Sequence, residues 1–281
     1  MLPYENSTTG VHNFFLGQVS IVLNLDLLMK PTKKISSAQL KKRKPIRILM
    51  QWLARFLFWM LTNFQIEGQE NFPKSGPLLM VGNHFSIVDI AAFVRAAPYP
   101  MEFIGGAVFA NAPKFLAFLP RLWGYLPVYR GTGSHFALRE AEKVLNSNGV
   151  LAIFPEGGSH GRMLRPPRPG TAFLAVRTNA RVLPVGLIGM DEVFSSWAKF
   201  RRPKVMIRIG NPIGPFETTG RGIQRREQLE EIGNIIMKSI ADLIPKDKHG
   251  YLSDDPEIRA QVVDYPWEDK PEGEVGPMNV R

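Results

Sequence analysis

Residues 77–89 read Pro-Leu-Leu-Met-Val-Gly-Asn-His-Phe-Ser-Ile-Val-Asp. The apolar run Pro77 to Val81 has the length and composition of a buried strand. After Gly82, His84 leaves the sheet and Asp89 follows five residues later, near the start of a helix. In α/β folds ligands gather at the carboxyl edge of the sheet. Five residues let the chain turn and bring Asp89 against the imidazole, fixing its tautomer and stabilising it once protonated, while the other ring nitrogen faces substrate. That is a base suited to an alcohol. An aspartate so placed also serves as an ordinary helix cap, so the rest of the chain must decide.

Similar apolar runs recur at Phe103 to Phe109, Tyr125 to Tyr129, Val150 to Phe154, Val182 to Ile188 and Lys204 to Ile209. Between two of them, Phe136, Ala137, Leu138, Ala141, Val144 and Leu145 form a helical apolar face that stops at the turn signal Asn148-Gly149. Strands alternating with helices predict an α/β domain with a mixed, largely parallel sheet flanked by helices. A last amphipathic stretch runs from about Gln228 to Ile244.

Towards the amino terminus, Ile46 to Phe64 reads as a helix in which Arg47, Gln51 and Arg55 recur every four positions among Ile48, Leu49, Trp52, Leu53, Phe56, Trp59 and Met60. Two arginines make a membrane span costly, whereas aromatics, a polar stripe and preceding lysines suit a helix lying in the lipid interface. Packing inside the core is the other reading. The basic connector before it holds Lys33, Lys34, Lys41, Lys42, Arg43 and Lys44. Earlier still, Asn24 and Asp26 interrupt the apolar patch of residues 11–30, which argues against a span there. Met1 to Gly10 lacks the basic flank of a secretory signal, so an intracellular protein is expected. The expected organisation is an extension and connector over 1–44, one domain over 45–244 with its interfacial helix at about 45–64, and a polar, partly flexible tail over 245–281.

A chain of 281 residues with 44% hydrophobic content can bury a large core. Its formal charge of +10 favours an anionic partner. The absence of cysteine excludes disulfides, thiolate metal sites and a cysteine acyl-enzyme, and the five histidines show no ligand spacing, so no metal is expected.

Three further segments follow in order: Gly124-Tyr-Leu-Pro-Val-Tyr-Arg130, Phe154-Pro-Glu-Gly157 and Val182-Leu-Pro-Val185. With Asn83-His84 and Asp89, they resemble the four ordered blocks of the glycerophospholipid acyltransferase family, especially its bacterial acylglycerol-phosphate acyltransferases, over roughly residues 60–215. The resemblance implies that His84 is the general base on the acceptor hydroxyl and Asp89 its support. It implies that Arg130 binds the acceptor phosphate, to which a guanidinium is suited by paired hydrogen bonds. Glu156 would bind acceptor hydroxyls or order the loop, and Gly157 would permit close backbone approach. The fourth block would shape the acyl pocket or the core.

The chain departs from that pattern at Gly158 and Ser159, where the family carries Thr and Arg, so a phosphate ligand is missing. Arg162, Arg165 or Arg168 of the basic, proline-rich loop 162–170 would replace it, or the acceptor carries another headgroup. The implied reaction is direct transfer from acyl-CoA or acyl-ACP, serving as co-substrate with no further cofactor, to a lysophospholipid such as lysophosphatidic acid, or to glycerol phosphate. Backbone amides near Gly157 are candidates for the oxyanion hole. The expected location is the cytoplasmic face of the cell membrane, against its anionic surface.

Two rival readings carry their own tests. Gly157-Gly-Ser159-His-Gly161 matches the Gly-x-Ser-x-Gly elbow of serine hydrolases, which requires a helix to open at once, yet prolines 166, 167 and 169 follow. A non-enzymatic basic protein would explain the charge but not the four ordered blocks, and no nucleic-acid-binding signature appears. Asp191 to Arg202 mixes Phe194, Trp197 and Phe200 with Arg201 and Arg202, which suits either lipid headgroups or ordinary packing with a solvated basic end.

Overall fold

The computed structural model describes residues 42–106, 118–128, 135–158 and 161–262. The apolar patch and most of the basic connector, the end of the run Phe103 to Phe109, Arg130, Ser159 and the chain after 262 lie outside the described residues.

Pro45 sits in the first turn of helix α1 (Lys44–Leu61), where its missing N–H costs nothing. The helix ends at Thr62, whose N–H and hydroxyl both bond to the Phe58 carbonyl. It was expected to run to residue 64. Instead the chain turns straight into β1 (Asn63–Glu67), a strand whose two apolar residues, Phe64 and Ile66, give too short a period-two signal to be read beside a long helix. Next come β2 (Leu78–Gly82), α2 (Val88–Ala96), β3 (Glu102–Gly106), α3 (Phe118–Trp123), β4 (Leu126–Val128), α4 (His135–Asn146) and β5 (Val150–Ile153). The chain continues through α5 (Pro169–Thr178), β6 (Arg181–Ile188), α6 (Val193–Trp197), β7 (Lys204–Ile209), α7 (Gly222–Ala241) and α8 (Pro256–Ala260).

The seven strands form one sheet in the order β1-β7-β6-β2-β5-β3-β4. Every neighbouring pair is parallel except β6 and β7. The expected mixed, largely parallel sheet is thus observed. β2 lies at its centre, buried at every residue. Alternate residues face opposite sides: Leu79 and Val81 join a core with α4, α5 and α7, while Leu78 and Met80 join one with α1 and α2. Because β1 and β7 run against the other five, their amino ends lie at the same edge as the carboxyl ends of β2 and β6.

The orientation of α1 reverses the usual arrangement. Its polar stripe faces the protein. Arg47 is buried and grips Glu102 of β3 with two bonds of 2.7 and 2.6 Å, and it donates to the carbonyls of Trp123 and Gly124. Gln51 and Arg55 donate to carbonyls at Ala97 and Tyr99. The apolar residues Leu49, Trp52, Leu53, Phe56 and Trp59 point outward.

Residues 245–262, the first part of the expected tail, carry two 3₁₀ turns and α8. They pack on the proline-rich loop, since Leu164 donates its N–H to the Lys248 carbonyl and accepts from Tyr251.

Removing one partner of a buried ion pair leaves the other charge uncompensated. Glu102→Ala is therefore expected to destabilise the fold by about 3–5 kcal/mol, whereas the double change Arg47→Met with Glu102→Leu recovers most of the loss. Urea denaturation of the three proteins checks this.

Candidate active site

The site begins where β2 meets its neighbour. Gly82 lies against Phe93 and β6 so closely that a Cβ would come within 2.7 Å of the Phe93 ring and 2.9 Å of the Val185 carbonyl. Asn83 then closes the edge, with its amide donating to the Leu187 carbonyl and accepting from the Leu187 N–H, both at 2.8 Å. These bonds replace backbone pairing where the two strands part, so that His84 leaves from a fixed point.

His84 Nδ1 lies 2.9 Å from Asp89 Oδ2. The same oxygen accepts the N–H groups of Phe85 and Ser86, each at 2.7 Å. Asp89 is completely buried at the second residue of α2, where the helix dipole favours a negative charge. Burial nevertheless holds its carboxyl above the ordinary value, against the pull of His84 and the two amides. With two other donors already on Oδ2, the carboxylate can engage only a protonated Nδ1, which leaves Nε2 as the basic nitrogen. The imidazole stacks on Phe154 with centroids 4.0 Å apart and planes 14° apart, and Phe154 stacks in turn on Phe93. The base is thus clamped by a carboxylate at one edge and an aromatic face beneath, and is only 9% exposed.

Glu156 sits behind this base. Its Oε1 accepts the backbone N–H of His84 at 2.8 Å, and its Oε2 accepts that of Arg165 at 3.2 Å, with the Arg165 Nε 3.7 Å away. Of the two roles open to it, the geometry fits ordering of the loop: the carboxylate is fully buried and both oxygens hold main-chain amides. Burial raises its pKa to about 8, although the amides and the Arg165 charge oppose the shift. The Tyr251 hydroxyl is pushed up as well, by burial and then by the charge of Glu156.

Gly157 has φ +77°, and its N–H donates to the Phe154 carbonyl at 3.0 Å, closing a tight turn. That amide is therefore committed within the turn, and an oxyanion donor must come from another group. The side chain of Arg168 lies over this glycine, with Cγ 3.2 Å from where a Cβ would stand. Of the loop arginines, Arg165 is buried, reaching Glu156 and the Gly158 carbonyl, whereas Arg162 and Arg168 are exposed. The structure thus brings His84, Asp89, Glu156, Gly157 and Arg165 together. Asn83 and Phe154 complete the setting. Both lie within the sequence motifs, but their partners at Leu187 and His84 are distant in sequence and leave no local signal.

The serine-elbow reading requires a helix directly after Ser159. The chain instead runs irregularly from Gly161 through Arg168, and α5 begins only at Pro169. Among the described residues no cluster of three His, Asp or Glu side chains could hold a metal ion.

A histidine–aspartate base thus stands at the carboxyl edge of a mixed α/β sheet, backed by a buried Phe-Pro-Glu-Gly turn. The family model named Acyltransferase matches residues 63–188. The chain is 26% identical over 151 residues to a 1-acyl-sn-glycerol-3-phosphate acyltransferase of Borreliella burgdorferi, covering 52% of this chain and 60% of that one. It is 22% identical over 205 residues to the 1-acyl-sn-glycerol-3-phosphate acyltransferase alpha of Mus musculus, covering 68% of each. Among solved structures it is similar to the 1-acyl-sn-glycerophosphate (LPA) acyltransferase PlsC of Thermotoga maritima, with TM-score 0.48, 24% identity, and 70% of this chain and 81% of that chain covered. The match thus spans about three fifths of the Borreliella relative's length. Over residues 63–188 the chain is thus similar to acyltransferases, among them 1-acyl-sn-glycerol-3-phosphate acyltransferases.

The raised pKa of Glu156 has a definite sign in stability. Between the ordinary carboxyl value and about 8 the folded state binds a proton that the unfolded state releases. The stability this proton confers is full at low pH and is lost as pH rises through about 8. Glu156→Gln, neutral throughout, is expected to flatten that decline. Chemical denaturation of both proteins at pH 5, 7 and 9 reads the difference.

Proposed function

We propose that this protein is a membrane-surface O-acyltransferase that moves a fatty acyl chain from acyl-CoA or acyl-ACP to the hydroxyl of a lysophospholipid, with lysophosphatidic acid the preferred acceptor. The observation that carries the reading is the His84–Asp89 pair, a base with its tautomer fixed by a buried carboxylate and its Nε2 left for substrate.

In the reaction Nε2 takes the acceptor's hydroxyl proton as the oxygen attacks the thioester carbonyl. A C–O bond forms and the carbonyl π electrons move onto oxygen, giving a tetrahedral oxyanion. Its collapse breaks the C–S bond, and the thiolate takes the proton back from His84. Asp89 stabilises the imidazolium between these steps. Arg130, in the motif position for the acceptor phosphate, and the exposed Arg162 and Arg168 are the cations assigned to the headgroup.

The outward face of α1 supports work at a lipid surface. Trp52 and Trp59 are 65% and 70% exposed, and with Leu49, Leu53 and Phe56 they form a continuous apolar stripe. Such a stripe lies favourably in a bilayer interface. Among the described residues no helix is long and apolar enough to cross a membrane. The location we propose, on the strength of that stripe, is peripheral or monotopic on the cytoplasmic face.

The test offers purified wild type, His84→Ala, Asp89→Asn and Ser159→Ala labelled acyl-CoA and acyl-ACP with lysophosphatidic acid, other lysolipids and glycerol phosphate. Wild type and Ser159→Ala are expected to make phosphatidic acid. His84→Ala should lose about 10²–10⁴-fold in kcat, and Asp89→Asn should show a smaller loss because it keeps the acceptor oxygen but not the charge. Full activity in His84→Ala, or free fatty acid release that depends on Ser159, would sink the proposal.

A further inference from the structure

The connection between β6 and β7 carries an exposed side chain that packs on no other among the described residues. Helix α6 ends in a six-residue closing motif in which the Arg201 N–H bonds to the Ser196 carbonyl and the Phe200 N–H to the Trp197 carbonyl. In this motif the penultimate residue takes a left-handed backbone, and glycine is the residue that adopts it without strain. Here the position is held by Phe200, at φ +54° and 100% exposed. The side chain is thus unfavourable twice over, by backbone conformation and by its full apolar surface in water. A group that costs stability in both ways and packs on nothing among the described residues is placed to meet something outside the chain.

Its neighbours say what. Lys199 and Arg201 flank it and are exposed, and among the described residues no carboxylate pairs with either. An apolar tip between two free cations matches the boundary between acyl chains and anionic headgroups.

The tip is also rigidly joined to the apolar face of α1. Arg202 donates to the carbonyls of Trp59 and Thr62, both at 2.6 Å, and the Trp197 indole donates to the Leu61 carbonyl at 2.9 Å. Phe200 therefore stands beside the end of α1 where Phe56, Trp59 and Met60 are exposed. This junction lies at the sheet edge from which His84 emerges, because β6 ends there and β1 and β7 begin there.

We propose that Lys199-Phe200-Arg201 is a second membrane contact, in which Phe200 enters the acyl region and the two cations bind anionic lipid headgroups. It acts with α1 to hold the catalytic edge against the bilayer. This rests on the membrane docking proposed above and adds to it a point of insertion and a preference for negative lipid.

Vesicle co-sedimentation tests it with the full chain, using vesicles of phosphatidylcholine alone and of phosphatidylcholine with one fifth phosphatidylglycerol. Phe200→Gly suits the backbone angle, so it is expected to raise the melting temperature while weakening binding about tenfold on both vesicles. Lys199→Ala with Arg201→Ala should weaken binding to anionic vesicles about 25-fold and leave neutral vesicles unchanged. If wild type and both variants bind alike, this contact is refuted while docking through α1 stands. If wild type binds neither vesicle, the docking reading falls and this proposal with it. If wild type is a dimer in the absence of lipid and Phe200→Gly is a monomer, the occupant is a second copy of the chain, which also overturns the proposal.

Discussion

A single buried carboxylate ties together parts of the chain that would otherwise have no reason to meet. Glu156 accepts the main-chain N–H of His84 with one oxygen and that of Arg165 with the other. The first bond fixes the backbone from which the base projects, and the second fixes the loop that carries the arginines. Buried amides must find acceptors, and here one side chain serves two segments at once. The geometry of Asp89 depends on this, because the turn that presents the Phe85 and Ser86 amides to it starts at the backbone Glu156 holds.

The base is built in layers of decreasing polarity. Asp89 orients the ring at Nδ1, Phe154 supports its face, and Phe93 supports Phe154. Rigid packing of this kind means that proton transfer at Nε2 needs little rearrangement of the protein. Asn83 does for the strands what Phe154 does for the ring, holding β2 to β6 where their ladder ends.

What the sequence made legible was local. Residues 77–89 announced a strand, an edge and a base because each signal lies within a few residues of the next. The alternation of apolar runs announced the sheet, though β1, with only Phe64 and Ile66 to mark it, passed unnoticed. Helical periodicity found the stripe of Arg47, Gln51 and Arg55, but periodicity says which residues share a face and not where that face points. Glu102, the partner that draws the stripe inward, lies on another strand. In the sequence Arg165 is likewise indistinguishable from its loop neighbours Arg162 and Arg168 as a candidate for the acceptor's charge. Its burial against Glu156 is a tertiary fact.

The proline-rich loop gains its last two backbone bonds from far along the chain, where Leu164 is bracketed by Lys248 and Tyr251. During synthesis the histidine and its aspartate leave the ribosome before the segment that brackets Leu164 does. The loop beside them is held early at Arg165 and Arg168 by residues 155 and 156, but its two bonds at Leu164 wait for the 3₁₀ turns after Pro245. The loop's backbone bonding is therefore completed only by a segment made well after the base, and a growing chain that already has His84 and Asp89 still lacks the two bonds that bracket Leu164.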